Sequence, residues 1–405
     1  MNTVELVSPG GSPEKIKFAI EYGADAVYCG LKSFSLRSRA HNLTREQWKE
    51  VLRYVKGQGR KIYLTLNAYL FDRQMDELLE LLEFLKNYPP DAFIVSDLGV
   101  LSVVRQVMDI PVHISTQANI TNADAANLLS QFGVKRVVLA REMSLEDIRR
   151  FVKRSGVEAE VFIHGAMCMA YSGRCFMSAF MTGRSANSGD CAQSCRWRYR
   201  LVEEKRPGEV IEVEEHSEGS FIFNAYDLCA LPFLDELIDT GVRAFKIEGR
   251  MKSVYYVGVT TAIYRRAIDD IRSGKDFRKR LEFYYSELEK VSHRPYSAGF
   301  YKGRAMQYVY SGSYIRNCCF CAVFDGLGDK ARLHVRNRLT PGEYELFLPD
   351  ATVMKLELSE FYDEQGNKKT VGNPNEFLYI KCHAGTKRGF LRRCVSWREN
   401  SSTKG

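Results

Sequence analysis

The chain has 405 residues, 45% hydrophobic and 27% charged, with 58 Lys and Arg against 50 Asp and Glu for a net charge of +8. That balance describes an ordinary globular protein with room for a large core and more than one domain. It excludes a membrane-spanning helix, because no apolar run approaches the roughly 18 residues that one needs. The opening "MNTVELVSPGGSPEKIKFAIEYG" lacks the basic-then-apolar layout of a secretory signal, and a cytoplasmic location is expected. Thiols stay reduced there, so the 11 cysteines point to metal binding or catalysis before disulfides.

In chain order, one phrase repeats through the first 250 residues: a short apolar run rich in β-branched residues, a polar or Gly stop, then a helical pattern. The runs are "VELVSP" (from Val4), "DAVYCG" (from Asp25), "KIYLTLN" (from Lys61), "DAFIVSD" (from Asp91), "PVHIST" (from Pro111), "RVVLAR" (from Arg136), "EVFIHG" (from Glu160) and "AFKIEG" (from Ala244). Near-continuous apolar runs suit strands buried on both faces of a parallel sheet. Amphipathic segments such as "MDELLELLEFLKNY" and "SLEDIRRFVKRSG" lie between them, and "YGADAVYCG", "FGVKRVVLA" and "TGVRAFKIEG" each place a helix-ending Gly before a strand. Eight such units predict a TIM-like (β/α)8 barrel of class α/β. An open doubly wound sheet is the rival, but "SPGGSPEK" after the first strand is a turn and helix start, not a dinucleotide fingerprint.

A barrel places its chemistry at the C-terminal ends of its strands. Those ends supply Glu5, Arg37, Arg39, Asn67, Asp97, His113, Gln117, Asn119, Arg141, Glu142, His164, Glu248 and Arg250, an Arg-rich mouth suited to an anionic ligand. Singly, each is more simply a solvated loop residue. Some 80 residues separate strands seven and eight, an insertion (about 165–243) far longer than ordinary connections. It carries "GAMCMAYSGRCFMSAFMTGRSANSGDCAQSC" and then "EEKRPGEVIEVEEHSEGSFIFN", which reads as a hairpin. The barrel is expected over 1–290, a linker over 291–312, a small antiparallel, β-barrel-like domain over 313–396 and a disordered tail over 397–405. Basic and aromatic residues interleave in "CRWRYR", "GRMKS" and "YKGRAMQYVY", a mix that suits phosphate and unpaired bases.

Five cysteines, Cys168, Cys175, Cys191, Cys195 and Cys229, are spaced C-x6-C-x15-C-x3-C-x33-C. Gly, Ser and Asn punctuate them, as a backbone wrapping a cluster requires and a core element does not. Only Cys191 and Cys195 make the tight pair that zinc sites favour, so an iron–sulfur cluster ranks above zinc. Both rank above a thiol nucleophile, for which His164 near Cys168 is the lone argument. The remaining cysteines, Cys29, Cys318, Cys319, Cys321, Cys382 and Cys394, fall on apolar strands and are expected to pack in cores.

The segment "EVFIHGAMCMAYSGRCFMSAFMTGRSANSGDCAQSCRWRY" resembles the peptidase U32 family. The likeness extends through "GADAVYCGLKSFSLR", "HISTQANITN", "NAYDLCALPFLDELIDTGVRAFKIEGRMKS" and the β-type C-terminus, most of the chain, and is greatest to the tRNA-hydroxylating members. The resemblance implies prephenate-dependent hydroxylation of the wobble uridine of tRNA to 5-hydroxyuridine, with a 4Fe-4S cluster. Other members hydroxylate a ribosomal RNA cytidine, and older ones are named collagenase-like peptidases. It implies Cys168, Cys175 and Cys191 as cluster ligands, with Cys229 as the expected fourth and Cys195 as the alternative. Expected partners are prephenate, the tRNA anticodon arm and a paralogous family member. Arg37, Arg141 and Arg250 are then candidates for the prephenate carboxylates. Asn67, Gln117 and Asn119 are candidates for the uracil edge, with His164 and Glu248 beside them. A peptidase finds no support in the residues: there is no G-x-S-x-G and no H-E-x-x-H.

Overall fold

The computed structural model describes residues 4–32, 34–35, 42–168, 170–197, 225–303, 305, 314–385 and 388–394. Eight parallel strands form a closed barrel: β1 (Glu5–Pro9), β2 (Ala26–Cys29), β3 (Lys61–Leu66), β4 (Ala92–Val95), β5 (Val112–Ile114), β6 (Val134–Val138), β7 (Glu158–Ala166) and β9 (Ala244–Ile247). Each pairs with the next, and β9 closes the ring on both β1 and β7. Helices α1 (Pro13–Glu21), α2 (Arg45–Gly57), α3 (Met75–Lys86), α4 (Leu98–Val107), α5 (Ala123–Ser130) and α6 (Leu145–Arg154) alternate with the first seven strands. Between β7 and β9 lie α7 (Met177–Thr182), β8 (Asp227–Cys229) and α8 (Leu234–Ile238). The barrel with an insertion between its seventh and eighth strands is therefore as the sequence predicts. The expected hairpin over 203–224 lies outside the described residues.

Local chemistry sets the helix ends. Thr44 and Ser144 close capping boxes on α2 and α6, and the Asp97 and Asn122 side chains cap α4 and α5. The three glycines expected to stop helices, Gly23, Gly133 and Gly241, take φ of 100°, 80° and 85°. Helix α6 shows how a charged helix still packs: Leu145, Ile148 and Phe151 recur at helical spacing and are buried. Each such side chain contributes roughly 1.5–3 kcal/mol by leaving water.

By contact the chain forms two compact units, the first from the described residues of 1–20, 24–253 and 294–314. It includes β10 (Tyr296–Ser297), which runs parallel to β8. The second takes 21–23, 254–293 and the described residues from 315 onward, with α9 (Val254–Arg272) and α10 (Phe277–Glu289). Its antiparallel strands are β11 (Cys318–Gly326), β12 (Gly328–Val335), β13 (Gly342–Phe347), β14 (Val353–Leu358), β15 (Phe361–Tyr362), β16 (Lys368–Lys369), β17 (Phe377–Gly385) and β18 (Arg388–Cys394). Their order is β14-β13-β18-β11-β12-β17-β15-β16, around a core including Phe324, Leu333, Leu346 and Leu391. Fully buried Arg392 knits this unit, meeting Glu287 and Glu345 at 2.7 Å and Tyr255 at 3.0 Å.

The expectation that six cysteines pack in cores holds for Cys29 and Cys321 only. Cys319 is exposed and Cys382 is half-buried. Cys318 and Cys394 stand opposite each other on β11 and β18 and are joined by a disulfide. An apolar strand sequence does not reveal which residue lies across the ladder, so this pairing was invisible from spacing. Among the described residues, no helix is long and apolar enough to cross a membrane.

Candidate active site

The C-terminal ends of the barrel strands enclose a cavity lined by Asn67, Gln117, Arg141, Glu248 and Arg250, all expected there, together with Tyr28, Thr65, Ser115, Phe162 and Lys246. Arg250 is 3% exposed, and its guanidinium donates to Ser35 Oγ at 2.6 Å, Thr65 Oγ1 at 3.3 Å and Asn42 Oδ1. Its backbone is seated just as tightly. A Cβ on Gly11 would lie 2.1 Å from the Arg250 carbonyl oxygen, which Lys15 Nζ also reaches at 3.2 Å. The "PGG" turn therefore serves the close approach of another backbone. Arg141 donates to the Ala166 carbonyl at 2.7 Å and lies 4.1 Å from the centre of the Phe162 ring. This is a cation–π contact that holds the guanidinium against the cavity wall.

Other expected residues lie elsewhere. Arg37 and Arg39 are outside the described residues, although Ser35 and Asn42, which flank them, both bond Arg250. Asn119 adopts a left-handed conformation (φ 59°), and its Oδ1 is buried with no hydrogen-bond partner among the described residues. It does not line the cavity; nor does His164, buried opposite Cys229 with its ring 5.2 Å from that of Tyr296. Asp97 caps α4 and accepts from the Leu70 amide at 3.1 Å.

Glu5 and His113 correct the reading of the mouth. Glu5 begins β1, at the opposite end of the barrel, where Arg136 meets it at 2.7 Å and Tyr63 donates to it at 2.5 Å. Arg136 also bonds Glu158 at 2.8 Å and Glu160 at 3.2 Å, and Glu160 bonds Lys246 at 2.7 Å. Burial would raise the Glu5 and Glu160 carboxyls, but their cationic partners outweigh it and hold both below the ordinary 4.5. His113 sits edge-on to Tyr63, and burial, aided by Arg136 and Lys246, drives its pKa well below 6.5. It is a neutral interior residue. Lys246 is the cavity residue that sequence reasoning missed. Its signal was a lone cation inside the apolar run "AFKIEG". Burial lowers its pKa, Glu160 works against that, and the Tyr28 ring lies 4.4 Å from its Nζ.

The cysteine-bearing insertion is tied to this mouth by three loops. Arg174 donates to the Gln117 carbonyl at 2.8 Å and to the Tyr69 hydroxyl at 2.7 Å. The Tyr69 amide donates to the Asn187 carbonyl at 3.3 Å, and Asn187 Oδ1 accepts from the Cys175 amide at 3.1 Å. Ser172 bonds Glu142 through its amide and its hydroxyl. Gly165, with φ 109°, lets β7 turn into the insertion; a Cβ there would lie 2.6 Å from the Glu248 carbonyl oxygen.

Cys168 is exposed, and Cys175, Cys191 and Cys195 are half-buried. Burial raises the Cys195 thiol, and the nearby Cys168, Cys191 and Cys175 raise it further while Arg196 opposes. Cys195 is thus within electrostatic reach of the other three thiols. The Gln193 amide points at Cys191 Sγ at 3.4 Å, the kind of N–H contact that stabilises a thiolate. Among the described residues, no three His, Cys, Asp or Glu side chains converge tightly enough to clasp a single metal ion. Cys229, 3% exposed, sits on β8, which pairs antiparallel with the end of β7 and is anchored by the buried Asp227–Arg294 pair at 2.6 Å.

A closed parallel barrel with a cationic mouth and a thiol-rich insertion tied to it defines a TIM-like barrel protein whose polar side chains gather at the strand ends. The chain belongs to peptidase family U32, whose model matches residues 11–309. It is 41% identical to a Helicobacter pylori protein named tRNA hydroxylation protein P, over 76% of this chain and 74% of the relative. The Escherichia coli protein of that name is 33% identical, over 86% and 87%. An E. coli protein named 23S rRNA 5-hydroxycytidine C2501 synthase is 38% identical, over 72% of this chain and 44% of its own length.

Proposed function

We propose that this chain is an RNA-modifying hydroxylase that converts the wobble uridine of tRNA to 5-hydroxyuridine, with prephenate as co-substrate and an iron–sulfur cluster held by the insertion. The observation that carries the reading is the thiol-bearing insertion, fastened by Arg174, Ser172 and Asn187 over a cavity that holds Arg141, Lys246 and Arg250. The names of the relatives supply the substrate class. In this reading Arg141 and Arg250, with Arg37, grip the prephenate carboxylates, since a planar guanidinium offers two parallel donors. Asn67 and Gln117 present amide groups to the uracil edge, with Asn119 near them. An unpaired wobble base can be turned into such a pocket at modest cost.

Cys168, Cys175 and Cys191 would hold the cluster, with Cys229 from β8 as the fourth thiolate and Cys195 as its competitor. Cys168, Cys175 and Cys191 each lie within electrostatic reach of Cys195, and Cys191 accepts a backbone N–H, a thiol-rich surrounding that suits an iron–sulfur group. When bound, the cluster supplies electron transfer or Lewis-acid chemistry. The deciding experiment is mass spectrometry of tRNA nucleosides from a deletion strain lacking any redundant pathway. Loss of 5-hydroxyuridine and its derivatives, restored by the intact gene, is expected; unchanged levels sink the proposal.

The name of the E. coli ribosomal relative favours a second reading, hydroxylation of a ribosomal RNA cytidine, which the same assay on ribosomal RNA would reveal. A collagenase-like peptidase is the rival from another class. It would keep turning over protein after iron is removed, whereas the hydroxylase would not act on protein at all.

A further inference from the structure

Strand β11 begins "CCFC", and its three cysteines have three different surroundings. Cys318 is bonded to Cys394. Cys319 is exposed and stands opposite Arg393 of β18. Cys321 is the extra residue of a bulge between Phe320 and Ala322, and it is buried against the core of the sheet. Alternation along a strand puts Cys319 and Cys321 on one face, and the bulge keeps Cys321 turned inward with Ala322. The Cys321 thiol points back along the strand and donates to the Cys319 carbonyl at 3.4 Å. Phe320 is held between them, stacked on Tyr255 at 5.2 Å and edge-on to Phe390 at 5.4 Å. The two thiols are therefore presented by a fixed backbone, one to solvent and one just beneath it.

We propose that Cys319 and Cys321 form a redox-active dithiol, a thiol-modification site in the second unit that reacts with small disulfides such as oxidised glutathione. The Cys319 thiolate attacks one sulfur of the small disulfide, forming a mixed disulfide and releasing one glutathione thiolate. Cys321, having lost its proton to solvent, then attacks the Cys319 sulfur and expels the second glutathione. The chain loses two protons and two electrons to an internal disulfide, and the oxidant gains both as two thiols. The surroundings suit these roles. The neighbouring Cys321 side chain, on the same face of the strand, brings Cys319 down to about 7, an effect that outweighs burial and that Arg393 reinforces. The Cys319 side chain and burial push Cys321 well above its ordinary value, so Cys319 attacks first. Thiolate fraction and the lower nucleophilicity of an acidic thiol together predict alkylation at pH 7 roughly five- to tenfold faster than for an ordinary exposed thiol.

The test uses the full chain, oxidised glutathione as the probe and peptide mapping by mass spectrometry without reduction. In the wild-type chain the peptide carrying Cys319 and Cys321 should become lighter by two hydrogens, with Cys318 still linked to Cys394. Cys321→Ala should instead trap a glutathione adduct on Cys319, and its alkylation midpoint should rise from about 7 towards 9. Cys319→Ser, an exposed position, should abolish both products. A Cys319 that alkylates no faster than Cys382, or glutathione found on the other cysteines before Cys319, overturns the proposal. An unchanged alkylation profile in Cys321→Ala overturns the role given to Cys321.

Discussion

Arg250 is held by three oxygens and by a backbone that tolerates only glycine beside it, so its position is set before any ligand arrives. Arg250→Lys keeps the charge and loses the planar fork. Nucleoside analysis of a strain carrying it should show a fall of about tenfold or more in 5-hydroxyuridine, with iron content unchanged. Gly11→Ala drives a methyl into the Arg250 carbonyl and should lower the unfolding free energy, read from urea denaturation, by the amount typical of overpacking, about 1–3 kcal/mol. The ionic network in the barrel gives a pH signature. Glu5, Glu160 and Asp227 are all held below their ordinary values because cations outweigh burial. Groups depressed in this way contribute stability that is complete above the unfolded value near 4.5 and is lost as pH falls through the folded values. The urea midpoint should therefore be flat from neutrality down to about pH 5 and drop below that. Arg136→Met, which leaves the buried Glu160 only Lys246 as a cationic partner and takes the guanidinium from Glu5, should cost about 3–5 kcal/mol and shift this acid limb.

At the scale of elements, the repeating strand-and-helix grammar was legible because parallel strands buried on both faces show as apolar runs, and Gly23, Gly133 and Gly241 mark where helices stop. The cavity was legible in part. Asn67, Gln117, Arg141, Glu248 and Arg250 converge as strand-end reasoning requires, since one end of a barrel gathers every such position. Glu5 misled because a polar residue at a strand boundary does not say which boundary it occupies. His113 and Lys246 point inward, and the side-chain direction of a residue in a three- or four-residue strand cannot be read from so short an alternation. The insertion was recognisable by its thiols, but its fastening by Tyr69, Glu142 and Asn187 depends on contacts among distant loops. For the cluster, Cys168→Ser, Cys175→Ser and Cys191→Ser should each remove most iron and visible absorbance from anaerobically purified protein. Cys229→Ser should do the same and Cys195→Ser should not; the reverse pattern exchanges their roles.

For the whole molecule, the net charge of +8 gives an electrostatic component to any RNA complex. Each phosphate neutralised steepens the salt dependence by roughly 0.7–0.9 in logarithmic slope. Titration of an anticodon stem-loop at increasing salt should give a steep linear loss of affinity, and a flat profile would count against RNA as the substrate. Arg392, at the centre of the second unit, joins α9 and α10 to β13 and β18 through Tyr255, Glu287 and Glu345. Arg392→Met should therefore loosen helices and sheet of that unit together, read as one broadened transition by hydrogen exchange, while the barrel strands keep their protection.

The register of β7 against β8 has a consequence for how the molecule is put together. Ala166 and Asp227 are direct cross-strand partners, so the chain that leaves β7 for the insertion comes back antiparallel beside it. The ring is closed by β9 pairing with both β7 and β1. Replacing residues 167–226 with an Asn-Gly turn, which suits a two-residue hairpin, should leave a protein with native barrel circular dichroism and no iron. Barrel folding and cofactor loading are then separable events. Under the proposed function, damage to the cluster would disarm the protein without unfolding it, and the same polypeptide could be reloaded in place.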